Sequence, residues 1–318
     1  MVDLVCCGAI NWDINLFMER LPRTGEEVPV GEIQRVSGGT AANVSVAAAR
    51  LLGPGSVAFI GALGRDSIGE MQLAILEEEG VDPKGILIVD DEESGQAYIT
   101  IGAGGENEIH TYFGANLCLT RQCLSDPSRL ELIEGAKVAV IMDPPLETAE
   151  GLAEMGSAGG AIVMWDPGVY AELGLEALSP TLQHIDYFIL NQLEYENFMG
   201  TNDPVEASDI LARENPRLKG IIKQGGEGCV LCGGGLEEPI VVGAVPLDML
   251  GRKVVNTVGC GDAFIGAFAA CKVLGYSDTD SLRRGCAAGS FKATRKETRG
   301  SPTSYELDEL LLEWGGIK

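Results

Sequence analysis

Near its C-terminal end the chain reads Asn256-Thr257-Val258-Gly259-Cys260-Gly261-Asp262 and then runs into an apolar segment, Ala263–Leu274. A glycine-rich turn that feeds a helix presents free backbone N–H groups and the positive end of the helix dipole, which together attract an anion such as phosphate. The amides of Gly259, Cys260 and Gly261 would line that hole, and two of these residues have no Cβ to hold phosphate oxygens away. A carboxylate, Asp262, stands at its mouth. It has two readings. It can cap the helix, as acidic residues at helix starts often do. It can also take a proton from a hydroxyl that attacks the bound phosphate. Ala263, Gly266, Ala267 and Ala270 share one helical face, so close packing there would hold the helix N-terminus in place.

Three further groups could do chemistry. Ser37-Gly38-Gly39-Thr40-Ala41-Ala42-Asn43 precedes a helical segment of small residues, Val44–Leu52. Asn11 and Asp13 follow a strand-like run, where an aspartate is ordinarily a turn residue. Asn191 and Glu194 have the spacing of a capping box, and the same pair could organise a divalent cation.

The elements that must position these residues alternate along the chain. Leu4–Ile10, Val57–Ile60, Ile86–Val89, Val138–Met142, Ile162–Trp165, Tyr187–Leu190 and Gly220–Lys223 are short apolar runs suited to a buried parallel sheet. Helical patterns lie between them, at Ile68–Glu79, Glu147–Met155 and Val205–Ala212 among others. This predicts an α/β fold with a doubly wound, mostly parallel sheet flanked by helices, its ligands at the carboxyl ends of the strands. Two segments break the rhythm. One is 14–36; the other is 96–113, where Gln96–Gly102 and Asn107–Phe113 flank a turn at Ala103-Gly104-Gly105-Glu106. They are either edge strands of the main sheet or a small β structure of their own.

With Gly8-Ala9-Ile10-Asn11-Trp12-Asp13, Gly61-Ala62-Leu63-Gly64-Arg65-Asp66-Ser67-Ile68-Gly69, Asn191-Gln192-Leu193-Glu194 and Lys223-Gln224-Gly225-Gly226-Glu227-Gly228 in the same order, the chain resembles the PfkB (ribokinase-like) family of carbohydrate and nucleoside kinases. The resemblance runs from about Asp3 to the C-terminus. It implies one ribokinase-like kinase domain over 1–318, with 14–36 and 96–113 forming a small β lid over the acceptor. It also implies a Mg²⁺-dependent transfer of phosphate from ATP to a hydroxymethyl group, with Asp262 as base. Asn11, Asp13, Gly38, Gly39 and Asn43 match the family's acceptor-binding set, and Asn191 and Glu194 its magnesium pair, acting through waters. The nucleotide is placed near Lys223, Gly225, Gly228 and the segment Ala287–Thr294, with ADP or GTP as other donors to test. By residue type alone, Lys223 and Arg295 are solvated charges. The lid is also the face through which a homodimer could form.

Departures from the family pattern carry information. Thr40 stands where sugar-binding members often have lysine, which with Gly261-Asp262-Ala263-Phe264 leans toward nucleoside-type members and leaves free ribose-like sugars, a sugar phosphate or a sugar acid open. Asn256 replaces the usual aspartate at the start of the anion-hole loop, beside which many members bind a monovalent cation. Losing that charge predicts only a weak response to K⁺. A non-catalytic sensor on the same scaffold would have lost the base or the glycines, and both are present. A dinucleotide-dependent dehydrogenase needs G-x-G-x-x-G after the first strand, where Gly8 stands alone.

Composition narrows the partners. The 318 residues carry 47 acidic and 23 basic side chains, a net charge of −24, so no basic stripe could neutralise a nucleic-acid polymer. No apolar run reaches the ~18–20 residues of a membrane helix. Nothing resembling a basic leader or cleavage signal precedes the first strand-like run, so a cytoplasmic location is expected. Nine scattered cysteines, with a lone CxxC at Cys229 and Cys232, read as buried free thiols rather than a metal site.

Overall fold

The computed structural model of the protein describes residues 2–104, 106–201 and 203–316. Nine strands form the main sheet, in the spatial order Ile240–Val242, Cys229–Gly233, Lys219–Lys223, Tyr187–Asn191, Ile162–Asp166, Val138–Met142, Leu4–Gly8, Val57–Ile60 and Val81–Asp82. The pairs from Lys219–Lys223 to Val81–Asp82 are parallel, and the last two strands at the other edge are antiparallel. The central strands read as unbroken apolar runs because helices cover both faces. One core lies under helices Pro127–Gly135, Leu146–Ala158, Gly174–Leu182, Gln192–Met199 and Pro204–Glu214. The opposite core lies under Thr40–Leu52, Cys260–Val273 and Asp278–Ala293. No helix among the described residues is long and apolar enough to cross a membrane.

One expected main-sheet strand sits elsewhere. Leu87–Val89 pairs with Ala62–Gly64 in a separate two-stranded ladder, because Ala62–Gly64 leaves the main sheet after Ile60 and takes its partner along. The irregular segments form a second sheet of four strands, in the order Val30–Gly38, Asn11–Met18, Gln96–Gly102, Asn107–Tyr112, so they are not edge strands of the main one. Of the turn 103–106, Gly105 lies outside the described residues. The CxxC cysteines occupy one strand and point to opposite faces. Cys229 lies against Cys286 and Cys232 against Tyr195, as an odd spacing in a strand requires.

The small-residue helix packs as its pattern predicts. Cys260–Val273 lies against Thr40–Leu52 so closely that a Cβ on Gly266 would come within 2.6 Å of the Ala47 Cβ and 2.8 Å of the Val44 carbonyl oxygen. Two helix N-termini from opposite ends of the sequence are thereby held side by side. Gly266→Val should lower the unfolding free energy by about 1–3 kcal/mol, the ordinary range for overpacking a tight contact. Urea unfolding measures it, and an unchanged midpoint would mean that the two helices can move apart freely.

Candidate active site

The site is built from strand ends. Asp166, Asn191 and Lys223 are the last residues of three adjacent parallel strands, and Asp143 follows directly on a fourth, Val138–Met142. Asn11 and Asp13 open the strand that leaves Leu4–Gly8 for the second sheet. Leu4–Gly8 lies between Val138–Met142 and Val57–Ile60, which is where the winding reverses and a crevice opens at the carboxyl edge.

Asp262 enters this crevice from the helix side. The N-cap of Cys260–Val273 is Gly259, and Asp262 stands in the first turn, where its carboxylate accepts from no backbone N–H among the described residues. Asn43 Nδ2 donates to Asp262 Oδ2 at 2.8 Å. Arg299 Nε in turn donates to Asn43 Oδ1 at 2.7 Å, and its Nη2 to the Gly38 carbonyl at 2.9 Å. Asp262 thus makes no capping hydrogen bond, although it stands in the first turn of its helix. Burial pushes the carboxyl up to about 6, against the opposing pull of the Asn43 hydrogen bond and of the Lys223 and Arg299 charges.

Gly259 is left-handed, with φ 82°, and a Cβ there would lie 2.4 Å from the Thr298 carbonyl oxygen, so the turn needs glycine. The amides of Gly259 and Gly261 find no acceptor among the described residues, whereas that of Cys260 donates to Thr257 O at 3.2 Å. The three expected anion-hole amides therefore narrow to two, because the turn consumes the third. Beside them opens a cavity of about 700 Å³, lined by Gly225, Gly228, Val245, Gly289 and Ala293 together with Lys223 and Gly261. Gly225, Gly228 and part of the segment 287–294 thus share one wall-bounded space with the free amides.

Lys223 is not the solvated charge that its residue type suggested. Its ammonium pairs with buried Asp166 at 2.7 Å and lies 3.5 Å from where a Gly261 Cβ would be. Burial pulls its pKa down, but the Asp166 partner outweighs this and the net shift is upward, so Lys223 stays charged beside the Gly259–Gly261 turn. Arg295 does match its plain reading, half-exposed and paired with Glu306 at 3.0 Å.

On the other side of Asp262, Asp13 is buried and so close to Gly38 that a Cβ there would fall 2.1 Å from its carboxylate. Burial raises Asp13 to about 7, with Arg299 opposing and Asp262 reinforcing. Gly39 starts the helix that carries Asn43. The Asn11 side-chain oxygen is occupied by Asn116 Nδ2 at 2.9 Å, and Asn116 also brackets the Ile10 backbone, so only the amide end of Asn11 is spare.

Sequence reasoning missed Asp143, Asp166, Arg299 and Asn116. The first two were within reach, since both are acids at the carboxyl ends of central strands. Nothing local marks Arg299 or Asn116, which act across 256 and 106 residues of sequence. Asp143 is the strained member of the set. It holds φ 56°, accepts from Thr40 Oγ1 at 2.9 Å, and keeps its other oxygen, Oδ1, buried with no partner among the described residues. Thr40 is thus tied to Asp143. Burial first, then Asp166, lifts Asp143 to about 7.

Asn191 and Glu194 form a complete capping box, with bonds of 2.9 Å in both directions. Asn191 is exposed and Glu194 half-buried. Among the described residues no three His, Cys, Asp or Glu side chains converge to hold a metal directly. The donor set nevertheless fits a hydrated Mg²⁺ carried on phosphates, which needs outer carboxylates rather than a protein cage. The unpartnered Asp143 Oδ1 and the Glu194 carboxylate are of that kind.

The chain matches the model of the pfkB family carbohydrate kinase over residues 1–304. It is 29% identical over 313 residues to a ribokinase of Haemophilus influenzae, covering 97% of this chain and 98% of that one. Fructokinase-1 of Zea mays is 30% identical over 305 residues, which is 87% of this chain and 88% of the relative. The structure of Arabidopsis thaliana ribokinase complexed with ribose and ATP is similar with a TM-score of 0.85 at 27% identity, covering 98% and 99% of the two chains.

Three carboxyls raised above the ordinary carboxylate range bind extra protons in the folded state. Each therefore costs the ligand-free protein stability as pH rises from about 4 through about 7. Asp143→Asn removes one such charge and can still accept from Thr40. It should raise the melting temperature of the ligand-free protein by roughly 2 °C or more at pH 8, with a smaller gain at pH 5.5. Differential scanning calorimetry at the two pH values checks this, and a lower melting temperature at pH 8 would show that Asp143 is a net stabiliser.

Proposed function

Because the chain belongs to the pfkB family of carbohydrate kinases, we propose that it transfers the terminal phosphate of ATP to a hydroxymethyl group of a neutral sugar or nucleoside, with Asp262 as the base. One observation carries this reading. The Asp262 carboxylate caps nothing and is held by Asn43 between the two free amides of the Gly259–Gly261 turn and the Asp13 pocket. A group in that position touches both reactants.

The acceptor hydroxyl hydrogen-bonds to Asp262, which orients it for attack and receives its proton late, as suits a weak base with its pKa lifted toward neutrality. The amides of Gly259 and Gly261, with the Lys223 ammonium beside them, face the charge that develops on the transferring phosphate. Mg²⁺, when bound on the donor phosphates, supplies further charge neutralisation, and Asn191 and Glu194 would hold it through waters. The base and ribose of the nucleotide take the cavity lined by Gly225, Gly228 and Ala293. Asp13, the spare amide of Asn11, the Gly38-Gly39 turn and Asn43 bind the acceptor. The two carboxylates beside that pocket, Asp13 and Asp262, favour a hydroxyl-rich neutral molecule over a sugar phosphate or a sugar acid. The likeness to ribokinase and fructokinase sequences agrees with a sugar acceptor.

The four-stranded sheet that begins at Asn11 serves as the lid that keeps water from the phosphate. Its exposed Ile33 and Tyr98, which the strand register puts on the same face of the sheet, offer an apolar patch for a second copy of the chain.

The test is an acceptor panel of pentoses, hexoses, nucleosides and sugar phosphates, each with ATP, GTP and ADP, with the phosphorylated position mapped in the product. Transfer from ATP to a neutral acceptor is expected. Asp262→Asn should lower kcat by ~10²–10⁴-fold while nucleotide affinity, measured by calorimetry, stays nearly unchanged. Turnover of sugar phosphates alone, or only a few-fold loss in the variant, would refute the reading. Asp13→Ala should raise the acceptor KM by about 10-fold or more, as loss of hydrogen bonds to an ionised group implies, with little change in the donor KM. Unchanged acceptor affinity would place the sugar elsewhere.

A further inference from the structure

Lys292 has no exposed surface and no part in the chemistry described above. It lies in the last turn of helix Asp278–Ala293 and makes no ion pair among the described residues; its Nζ donates to the backbone carbonyl of Asn256 at 2.9 Å. Asn256 begins the turn that carries the anion hole, and all four of its polar atoms are committed. Its N–H donates to Ala293 O at 3.1 Å and its carbonyl accepts from Lys292. Its Oδ1 accepts from Val258 N–H at 3.0 Å, and its Nδ2 donates to Lys296 O at 2.8 Å. The phosphate turn is thus tied to the end of this helix with a buried ammonium at the knot.

A buried ammonium with one carbonyl acceptor is costly, and its pKa is driven down by burial. The carboxylates whose charge opposes that fall are Glu297 and Asp262, the latter in the helix that follows the turn. This arrangement also accounts for asparagine at 256. Its amide must donate to the Lys296 carbonyl, which an aspartate could not do, and the positive charge in the turn comes from Lys292.

We propose that Lys292 is a positioning residue for phosphoryl transfer: a tethered cation that fixes the Asn256–Gly261 turn and places a positive charge at the start of the turn that carries the Gly259 and Gly261 amides. It does not touch the substrate. The inference rests on the reading of this turn as the donor-phosphate site, and the parent enzyme's transfer activity tests that reading separately. A turn with its own ammonium needs no cation from solution.

The parent enzyme, assayed at constant ionic strength in K⁺, NH₄⁺, Na⁺ and tetramethylammonium chloride, should vary by no more than about 2-fold. Lys292→Met should melt cooperatively yet lose about 100-fold in kcat, the scale on which weakening an anion hole acts, with the acceptor KM nearly unchanged. Lys292→Gly leaves a hollow, so methylammonium or K⁺ should restore at least about 10-fold of its activity, while Lys292→Met, whose side chain fills that space, should not respond. Strong K⁺ activation of the parent overturns the proposal. So does a Lys292→Met kcat within about 3-fold of the parent. A folded Lys292→Gly enzyme that no small cation restores also overturns it, because a merely structural lysine would behave in that way. Should neither variant fold, the cation response of the parent decides.

Discussion

The hydrogen-bonded line from Asp262 to Asn43 to Arg299 to the Gly38 carbonyl is the constraint on which the site depends. It joins the N-terminal turns of two helices and a segment from the end of the chain, none of them neighbours in sequence. Close contact at Gly266 brings the two helices together, and the Asn43 hydrogen bond ties the Asp262 carboxylate of one helix to the other. The glycines of both turns then have a common purpose. Each admits a neighbour that a Cβ would strike: the Asp13 carboxylate at Gly38, the Ile10 and Asn11 backbone at Gly39, and the Thr298 carbonyl at Gly259.

Electrostatics explains why this arrangement sits inside a strongly acidic protein. Net charge is distributed over the surface, whereas the crevice combines buried carboxyls with a few placed cations: Lys223 on Asp166, Arg299 between Asp13 and Asp262, and Lys292 beneath the turn. Desolvation lowers Arg299 to about 10 and raises the carboxyls, so both signs are held away from their relaxed state. Such poise costs the empty protein stability. Two apolar cores, one on each face of the sheet, offset that cost.

How much of this was legible in the sequence depended on locality. The parallel sheet could be read because buried strands are short apolar runs, and the small-residue face of Cys260–Val273 because its spacing is helical. The Gly38-Gly39 turn, Asn43 and Asp262 could be singled out as motifs, although nothing in them says that they touch. Leu87–Val89 was assigned to the wrong sheet because an apolar triplet does not encode its partner. Lys223 was misjudged because lysine is usually exposed, and only the fold reveals Asp166 beside it. Arg299 and Lys292 were invisible. Their surroundings come from elements far away in sequence, and composition assigns a charged residue to the surface by default.

The most direct measurement of the central claim is a crystal structure of the ternary complex with an acceptor sugar and a non-hydrolysable ATP analogue. The account predicts the acceptor hydroxyl about 2.6–3.0 Å from the Asp262 carboxylate and in line with a terminal phosphate bound by the Gly259 and Gly261 amides. A terminal phosphate bound away from that turn would contradict it, as would an Asp262 carboxylate still bonded only to Asn43 while the acceptor hydroxyl points elsewhere.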